Sequence, residues 1–279
     1  MLGLIHGYIT VFKWLLPSLL LLLWLLLALI GPWLPLHPEQ INLAYILKFP
    51  SISTSYLGYD DLGRPILDRL IMGARTSFLV AFWVILVSSF LGTLVGMFSG
   101  WFGGYLDLIM VRVMDIFLAF PGILLAIALS GVLGPGIENV IFALVIVGWV
   151  GFARLARAQT LSLKEREHIK AALALGAQTP RILRYHLLPL LIAPLIVEAT
   201  FGVASVVIAE AGLSFLGLGI QPPEASWGSM IRDGKNYMLV APHMVLAPGI
   251  ALLLVVLSVN MLGDSLRDHL DIKSYQRIG

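Results

Sequence analysis

Four stretches of this chain carry no formal charge over lengths that match or exceed the thickness of a lipid bilayer. They cover residues 14–38, 76–106, 116–137 and 236–263, which is 25, 31, 22 and 28 residues. About 20 apolar residues in helical form cross the roughly 30 Å of hydrocarbon. There every backbone amide must find its partner inside the protein, which leaves helices as the form such runs can take. The runs therefore point to an all-α polytopic membrane protein whose first partner is lipid. Charged residues make up 12% of the chain, against about 25% in a soluble domain. Intrinsic disorder, which needs low hydropathy and high charge, is excluded. A net charge of +2 gives no electrostatic footprint for nucleic acid. With no cysteine, disulfides, thiolate metal sites and cysteine nucleophiles are excluded.

The runs and their flanks predict six spans. The first is Trp14–Leu36, with a nearly pure leucine core at Leu19–Leu27. It is longer than the roughly 7–15 residues of a signal-peptide core, and Gly31-Pro32-Trp33-Leu34-Pro35 follows it, so it reads as an uncleaved anchor behind a cytoplasmic segment 1–13. Residues 37–77 read as an extracytoplasmic segment. Within it, Tyr59–Arg75 predicts a short interfacial helix with Leu62, Ile66, Leu67, Leu70 and Ile71 on one face. Residues 78–271 form a five-helix core. Span two, Phe78–Ser99, leads a series of glycines, Gly92, Gly96, Gly100 and Gly104, at every fourth position. On a helix this spacing makes a groove that lets a second backbone approach closely. Span three, Leu108–Val132, carries Pro121-Gly122, a kink site. At its inner end Asp107, Arg112 and Asp115 form a charged cluster, in which Arg112 and Asp115 have the i,i+3 spacing of a pair. Span four is Asn139–Phe152. Span five starts near Leu190 and is interrupted by Glu198, Glu210 and glycines. Gln221–Met238 reads as a polar loop, Val245–Leu262 as span six, and 272–279 as a short tail.

Six spans put both ends on one side, and the bias of Lys and Arg chooses it. With the N-terminus inside, cytoplasmic segments hold 12 of the 18 basic residues. Both termini are therefore expected in the cytoplasm. The largest cytoplasmic loop is then 154–184, with seven basic residues.

No G-x-x-x-x-G-K-[ST] occurs, so this chain does not itself cradle ATP phosphates, and no H-E-x-x-H occurs. Ser214, in Gly212-Leu213-Ser214-Phe215, and His243 leave an intramembrane protease as a distant alternative if the two side chains meet. A secondary transporter or channel is another. In the loop, Glu165–Leu175 is rich in helix formers, Gly176, Ala177, Thr179 and Pro180 mark a stop and a restart, and Arg181–Leu188 reads as a second short helix closed by Pro189. Ala172 and Gly176, four apart, would share a small-residue face with room for another backbone. Carboxylates in a span are costly and face a cavity or a polar neighbour. Glu198, Glu210 and Ser214 are thus candidates for a translocation path, or for hydrogen bonds between spans.

Lys170-Ala171-Ala172-Leu173-Ala174-Leu175-Gly176, with His186-Leu187-Leu188-Pro189, resembles the EAA loop of permease subunits in binding-protein-dependent ABC importers. That pattern is Glu-Ala-Ala, three residues, Gly, nine residues, Ile-x-Leu-Pro. Ala171, Ala172, Gly176, Leu188 and Pro189 fit it, while Lys170 stands for the Glu and His186 for the Ile. Asp60-Asp61-Leu62-Gly63-Arg64, Gly73-Ala74-Arg75-Thr76-Ser77, Ser214-Phe215-Leu216-Gly217-Leu218-Gly219-Ile220-Gln221-Pro222-Pro223 and Asn260-x-x-Gly263-Asp264-x-Leu266-Arg267-Asp268 resemble the "C" permeases of dipeptide, oligopeptide and nickel importers. The resemblance implies the type I ABC importer permease fold in a bacterial cytoplasmic (inner) membrane. It implies a heterodimer with a second permease, two ATPase subunits that carry the ATP and Mg, and an extracytoplasmic binding protein. It implies no catalysis and no cofactor on this chain. The 154–189 loop would dock on an ATPase through Glu167, Lys170, Ala171, Ala172, Gly176, Ala177, Arg181, His186, Leu188 and Pro189. Transport would proceed by alternating access. Dipeptides or short oligopeptides are the expected substrates, with nickel or a metal chelate as the alternative.

Overall fold

The computed structural model describes residues 2–275, with side chains described over 14–270. The expected tail, 272–279, passes out of the described residues at 276. Among the described residues ten α-helices follow one another: α1 (Leu2–Ile30), α2 (Ile66–Phe102), α3 (Gly104–Leu118), α4 (Gly122–Leu133), α5 (Ile137–Leu163), α6 (Glu167–Ala174), α7 (Thr179–Ile182), α8 (Leu188–Phe215), α9 (Trp227–Gly234) and α10 (His243–Tyr275). No strand occurs among the described residues. Five segments are long and apolar enough to cross a membrane: Trp14–Trp33, Ile66–Phe102, Ile137–Leu163, Thr179–Phe215 and His243–Leu270. Helices α3 and α4 are bent by 82° from each other and make a sixth crossing when counted as one span.

Several helices depart from their expected limits. The interfacial helix and span two are one element, the 37-residue α2. Charges at Asp68, Arg69 and Arg75 do not end it, because helix hydrogen bonding does not depend on hydropathy. Its outer turns carry their charges above the hydrocarbon, where Arg69 has Asp60 at 3.5 Å and Asp233 at 3.8 Å. Span three is broken rather than kinked. Pro121 cannot donate to the ladder and disfavours helical geometry in the residue before it, so α3 ends at Leu118 and α4 begins anew at Gly122. Helix α5 runs eleven residues past the expected end at Phe152, to Leu163. Arg154 and Arg157 are therefore on a helix, not in the loop. Arg157 donates to Asp107 (Nη2 to Oδ2, 2.7 Å) and Arg154 lies 3.4 Å from Asp115. The carboxylates of α3 thus find their partners on α5, and the expected Arg112–Asp115 pair is replaced by these. Span five is uninterrupted, with Glu198 and Glu210 inside one helix.

The centre of the bundle is the α2–α5 pair. A Cβ on Gly92 would strike the Trp149 carbonyl, one on Gly96 the Ala153 carbonyl, and one on Gly100 would sit 2.9 Å from the Arg157 carbonyl. These three glycines line one seam. Gly104 is not part of it: it opens α3 with φ +57, and nothing lies within 4 Å of the place its Cβ would take. Val80, Ala81, Val84, Val140, Leu144, Ala204, Val207 and Leu213 fill the buried core between α2, α5 and α8. Helix α1 packs on the outside of this core, where its Trp24 indole donates to the Ala74 carbonyl at 3.1 Å.

The region 221–238, expected as a loop, contains α9. Ser226 caps it by accepting from the Ser229 amide, and the Ser229 hydroxyl returns the contact to the Ser226 amide. Such a reciprocal cap fixes the first turn. Trp227 then plugs α9 onto α2, its indole donating to the Leu70 carbonyl at 3.0 Å.

Candidate functional site: the loop between α5 and α8 and the polar contacts of α8

The cytoplasmic loop begins where α5 stops. Lys164 donates to the Gly100 carbonyl at 3.0 Å and so ties the loop to the inner end of α2. Helix α6 lies on the bundle through Ile169, which is fully buried with Met97, Leu163, Ile182, Leu183, Leu187 and Leu191. The rest of α6 faces out. Glu167, Lys170, Ala171 and Ala174 are exposed and Ala172 is half-buried. Leu173 and Leu175 are 46% and 88% exposed. Lys170, which replaces the acidic residue of the pattern, pairs with Glu165 at 3.0 Å. That hydrogen bond holds the exposed Glu165 carboxyl below its usual range.

Gly176 does not share a helix face with Ala172. It lies past the helix end with φ +80, the left-handed geometry that favours glycine. Its amide donates to the Leu173 carbonyl and the Ala177 amide to the Ala172 carbonyl, at 2.9 and 3.0 Å. These bonds close α6 and turn the chain so that Leu175 projects. Helix α7 starts at Thr179-Pro180, bearing the exposed Arg181 and the buried Ile182. The second helix is not closed by Pro189. Leu183–Leu187 forms a wide π-turn that carries the chain directly into α8, with the Leu188 amide reaching the Leu183 carbonyl. A proline near a helix start has no ladder bond to lose, so Pro189 sits without a break at the head of α8. His186 and Leu188 are half-buried there.

Of the three residues considered for a path, two are brought together. Glu210 and Ser214 are fully buried. Glu210 accepts from Ser77 of α2 at 3.0 Å and from Ser214, one turn on, at 2.8 Å. This cluster joins α8 to the outer third of α2. Glu198 is separate and half-buried, its carboxylate against Gly151 of α5. Ser214 and His243 do not meet. His243 lies 3.3 Å from the Tyr59 carbonyl, so the protease arrangement is not formed.

Sequence reasoning missed the outer ion network. Arg64 donates to Asp60 at 2.7 Å, and Arg69 reaches both Asp60 and Asp233, all largely buried. Asp60 and Arg64 lie in the Asp60-Asp61-Leu62-Gly63-Arg64 stretch that resembles the importer permeases. Their i,i+4 spacing gave a hint, but the partner on α9 gave none. The Glu210–Ser214 pair is also i,i+4 and could have been read, whereas Ser77, 133 residues away, could not.

Comparison with known proteins gives concordant results. Residues 92–273 match the family described as binding-protein-dependent transport system inner membrane component. The chain is similar to the dipeptide transport system permease protein DppC of Alkalihalophilus pseudofirmus, 42% identical over 89% of this chain and 82% of that protein. It is 42% identical to the glutathione transport system permease protein GsiD of Pectobacterium atrosepticum, over 79% of this chain and 73% of that one. With the probable D,D-dipeptide transport system permease protein DdpC of Escherichia coli K12 it shares 36% identity over 92% and 86%. Among solved structures it resembles an inward-facing MetNI methionine ABC transporter with a TM-score of 0.54 at 20% identity, over 73% of this chain and 93% of that one. At that identity the likeness shows the fold, the type I permease fold. ATP hydrolysis in such systems belongs to ATPase partners, not to the permease. The chain belongs to the binding-protein-dependent transport system inner membrane component family, as a non-catalytic, multi-pass permease subunit of an ABC importer.

Proposed function

We propose that this chain carries dipeptides or short oligopeptides across the bacterial inner membrane, as one half of a permease heterodimer. A second homologous permease completes the path, two ATPases hold the ATP and Mg, and the binding protein delivers substrate from outside. The three relatives above are named for dipeptides, glutathione and D,D-dipeptides, which supports short peptides as the substrate class. Alternating access is driven through the 164–189 loop.

The observation that carries the coupling role is the unequal packing of α6. Ile169 locks one side into the bundle while Leu173 and Leu175 stand out at the tip. Exposed leucines at the cytoplasmic tip need a protein surface to cover them. Ala171, Ala172 and Ala174 beside them let that surface come close. A push on α6 then passes through Ile169 to Ile182 and Leu187, and so to the head of α8.

Leu175→Asp tests this without disturbing the Gly176 turn. Loss of a hot-spot contact of about 2 kcal/mol weakens ATPase association roughly 30-fold. We expect the variant to reach the membrane at normal levels, to lose copurifying ATPase, and to stop peptide uptake. Normal ATPase copurification and uptake would overturn the docking role. Uptake of nickel but not of dipeptides by the wild-type complex would overturn the substrate.

A further inference from the structure

At its outer end α2 presents Met72, Arg75, Thr76 and Leu79, one stripe at i, i+3, i+4 and i+7, to a cavity of about 270 Å³. Pro38 and Glu39 form a second wall, Pro223, Glu224 and Ala225 a third, and Ile137 at the start of α5 closes the side. The walls are fixed. The Thr76 hydroxyl donates to the Ala225 carbonyl at 2.9 Å, and the His37 amide donates to Asp68 of α2 at 2.8 Å, which holds the 38–39 segment in place. Two of the walls are thus tied to α2, and the side chains of Glu39, Arg75 and Glu224 stand exposed at the rim.

Arg75 makes no ion pair or hydrogen bond among the described residues, although Glu39 and Glu224 line the same cavity. The neighbouring charges of α2 differ: Arg69 is buried in the outer network, and Asp68 holds His37. Arg75 also stands at the edge of the 76–106 uncharged run, which sets the cavity at the expected outer boundary of the hydrocarbon rather than within it. Its charge pattern selects what can enter. A free phosphate or lipid phosphate would meet Arg75 but be repelled by two carboxylates. A simple cation would meet the carboxylates but be repelled by the guanidinium. A dipolar ligand, with an ammonium at one end and a carboxylate at the other, satisfies both signs. A cavity of this size lies at the small end of ligand pockets, roughly 300–1,000 Å³, which fits a dipeptide rather than a long peptide.

We propose that Arg75, Glu39 and Glu224 form an entry subsite for zwitterionic dipeptides, in which Arg75 takes the C-terminal carboxylate and the two glutamates the N-terminal ammonium. The inference rests on the peptide reading above and assigns it a place on this chain. Arginine is suited to the task because its planar fork can hold both carboxylate oxygens. The side chains touch ligand only in passage, so the subsite sets which ends are admitted and performs no chemistry.

The complete transporter in proteoliposomes, with a fixed amount of binding protein and varied concentrations of labelled Ala-Phe or its C-terminal amide, gives the test. Arg75→Gln is expected to raise KM for Ala-Phe about tenfold, the loss of one charge-assisted pair, with kcat little changed, and to leave the amide unaffected. Arg75→Lys should restore part of the difference. Glu39→Gln with Glu224→Gln should act the same way on the N-terminal end, read against N-acetyl-Ala-Phe. An unchanged KM in Arg75→Gln would overturn the subsite, and so would an equal loss for both substrates, which marks a structural or permease-contact role. A loss that follows the anionic lipid content of the vesicles would also overturn it, as a lipid contact. Failure of the wild-type complex to import Ala-Phe at all would instead overturn the peptide reading.

Discussion

Glu210 shows what a carboxylate in a span can be for. It is fully buried and accepts from Ser77 and Ser214, so its contacts join two helices. Glu210→Ala leaves two buried hydroxyls without their acceptor, a cost of about 1–3 kcal/mol. We expect a lower unfolding midpoint for the detergent-purified complex, with Glu210→Gln losing less. A variant that kept its stability but lost uptake would return Glu210 to the translocation path. Asp61 gives a prediction with a pH sign. Burial, with Asp60 alongside, pushes its carboxyl above the ordinary range, and its Oδ1 has no hydrogen-bond partner. The folded protein then binds this proton more tightly than the unfolded chain. Stability from this group is therefore full below about pH 4 and is lost as the pH rises through the folded value. Asp61→Asn should raise the unfolding midpoint at pH 7, and the gain should vanish near pH 4. At this scale the sequence offered local pairs such as Glu210 with Ser214. Partners brought in from other helices, such as Ser77 or Asp233, were beyond its reach.

The helices were legible as apolar runs, and their ends were not. Reading charge as the edge of a span cut α2 at Arg75 and α5 at Phe152, yet both continue, because the backbone ladder of a helix does not depend on hydropathy and most of the charges beyond those edges find partners. Arg69 finds the outer network, and Arg154 and Arg157 find the carboxylates of α3. Three of four spaced glycines lie in a real seam, since spacing on a helix fixes a face. The fourth fell outside because α2 ends at Phe102. The seam predicts an asymmetric pair of variants. Gly96→Ala puts a methyl into the Ala153 carbonyl and should cost about 1–3 kcal/mol, as overpacking does. Gly131→Ala, with nothing within 4 Å, should leave the melting temperature unchanged or slightly raised.

For the whole molecule, the all-helical membrane-spanning plan was readable from the charge-free runs. The helical loop between α5 and α8 was readable from a motif, though its turn geometry was not. The chain contains no cysteine, so single reporters can check the sidedness directly. Leu175→Cys, 88% exposed at the α6 tip of the chain alone, should react with a membrane-impermeant maleimide only in inside-out vesicles stripped of ATPase. Leu239→Cys, fully exposed before α10, should react only from the outside. Reaction of both from one side would overturn the topology. One last consequence belongs to α2. Its 37 residues make a rod about 55 Å long, pinned by Lys164 at its inner end and by the outer network at the other. With both ends held and no break between them, α2 has no hinge to absorb a displacement, so a shift forced on its inner turns reaches the Asp60, Arg69 and Asp233 network as a strain on those ion pairs.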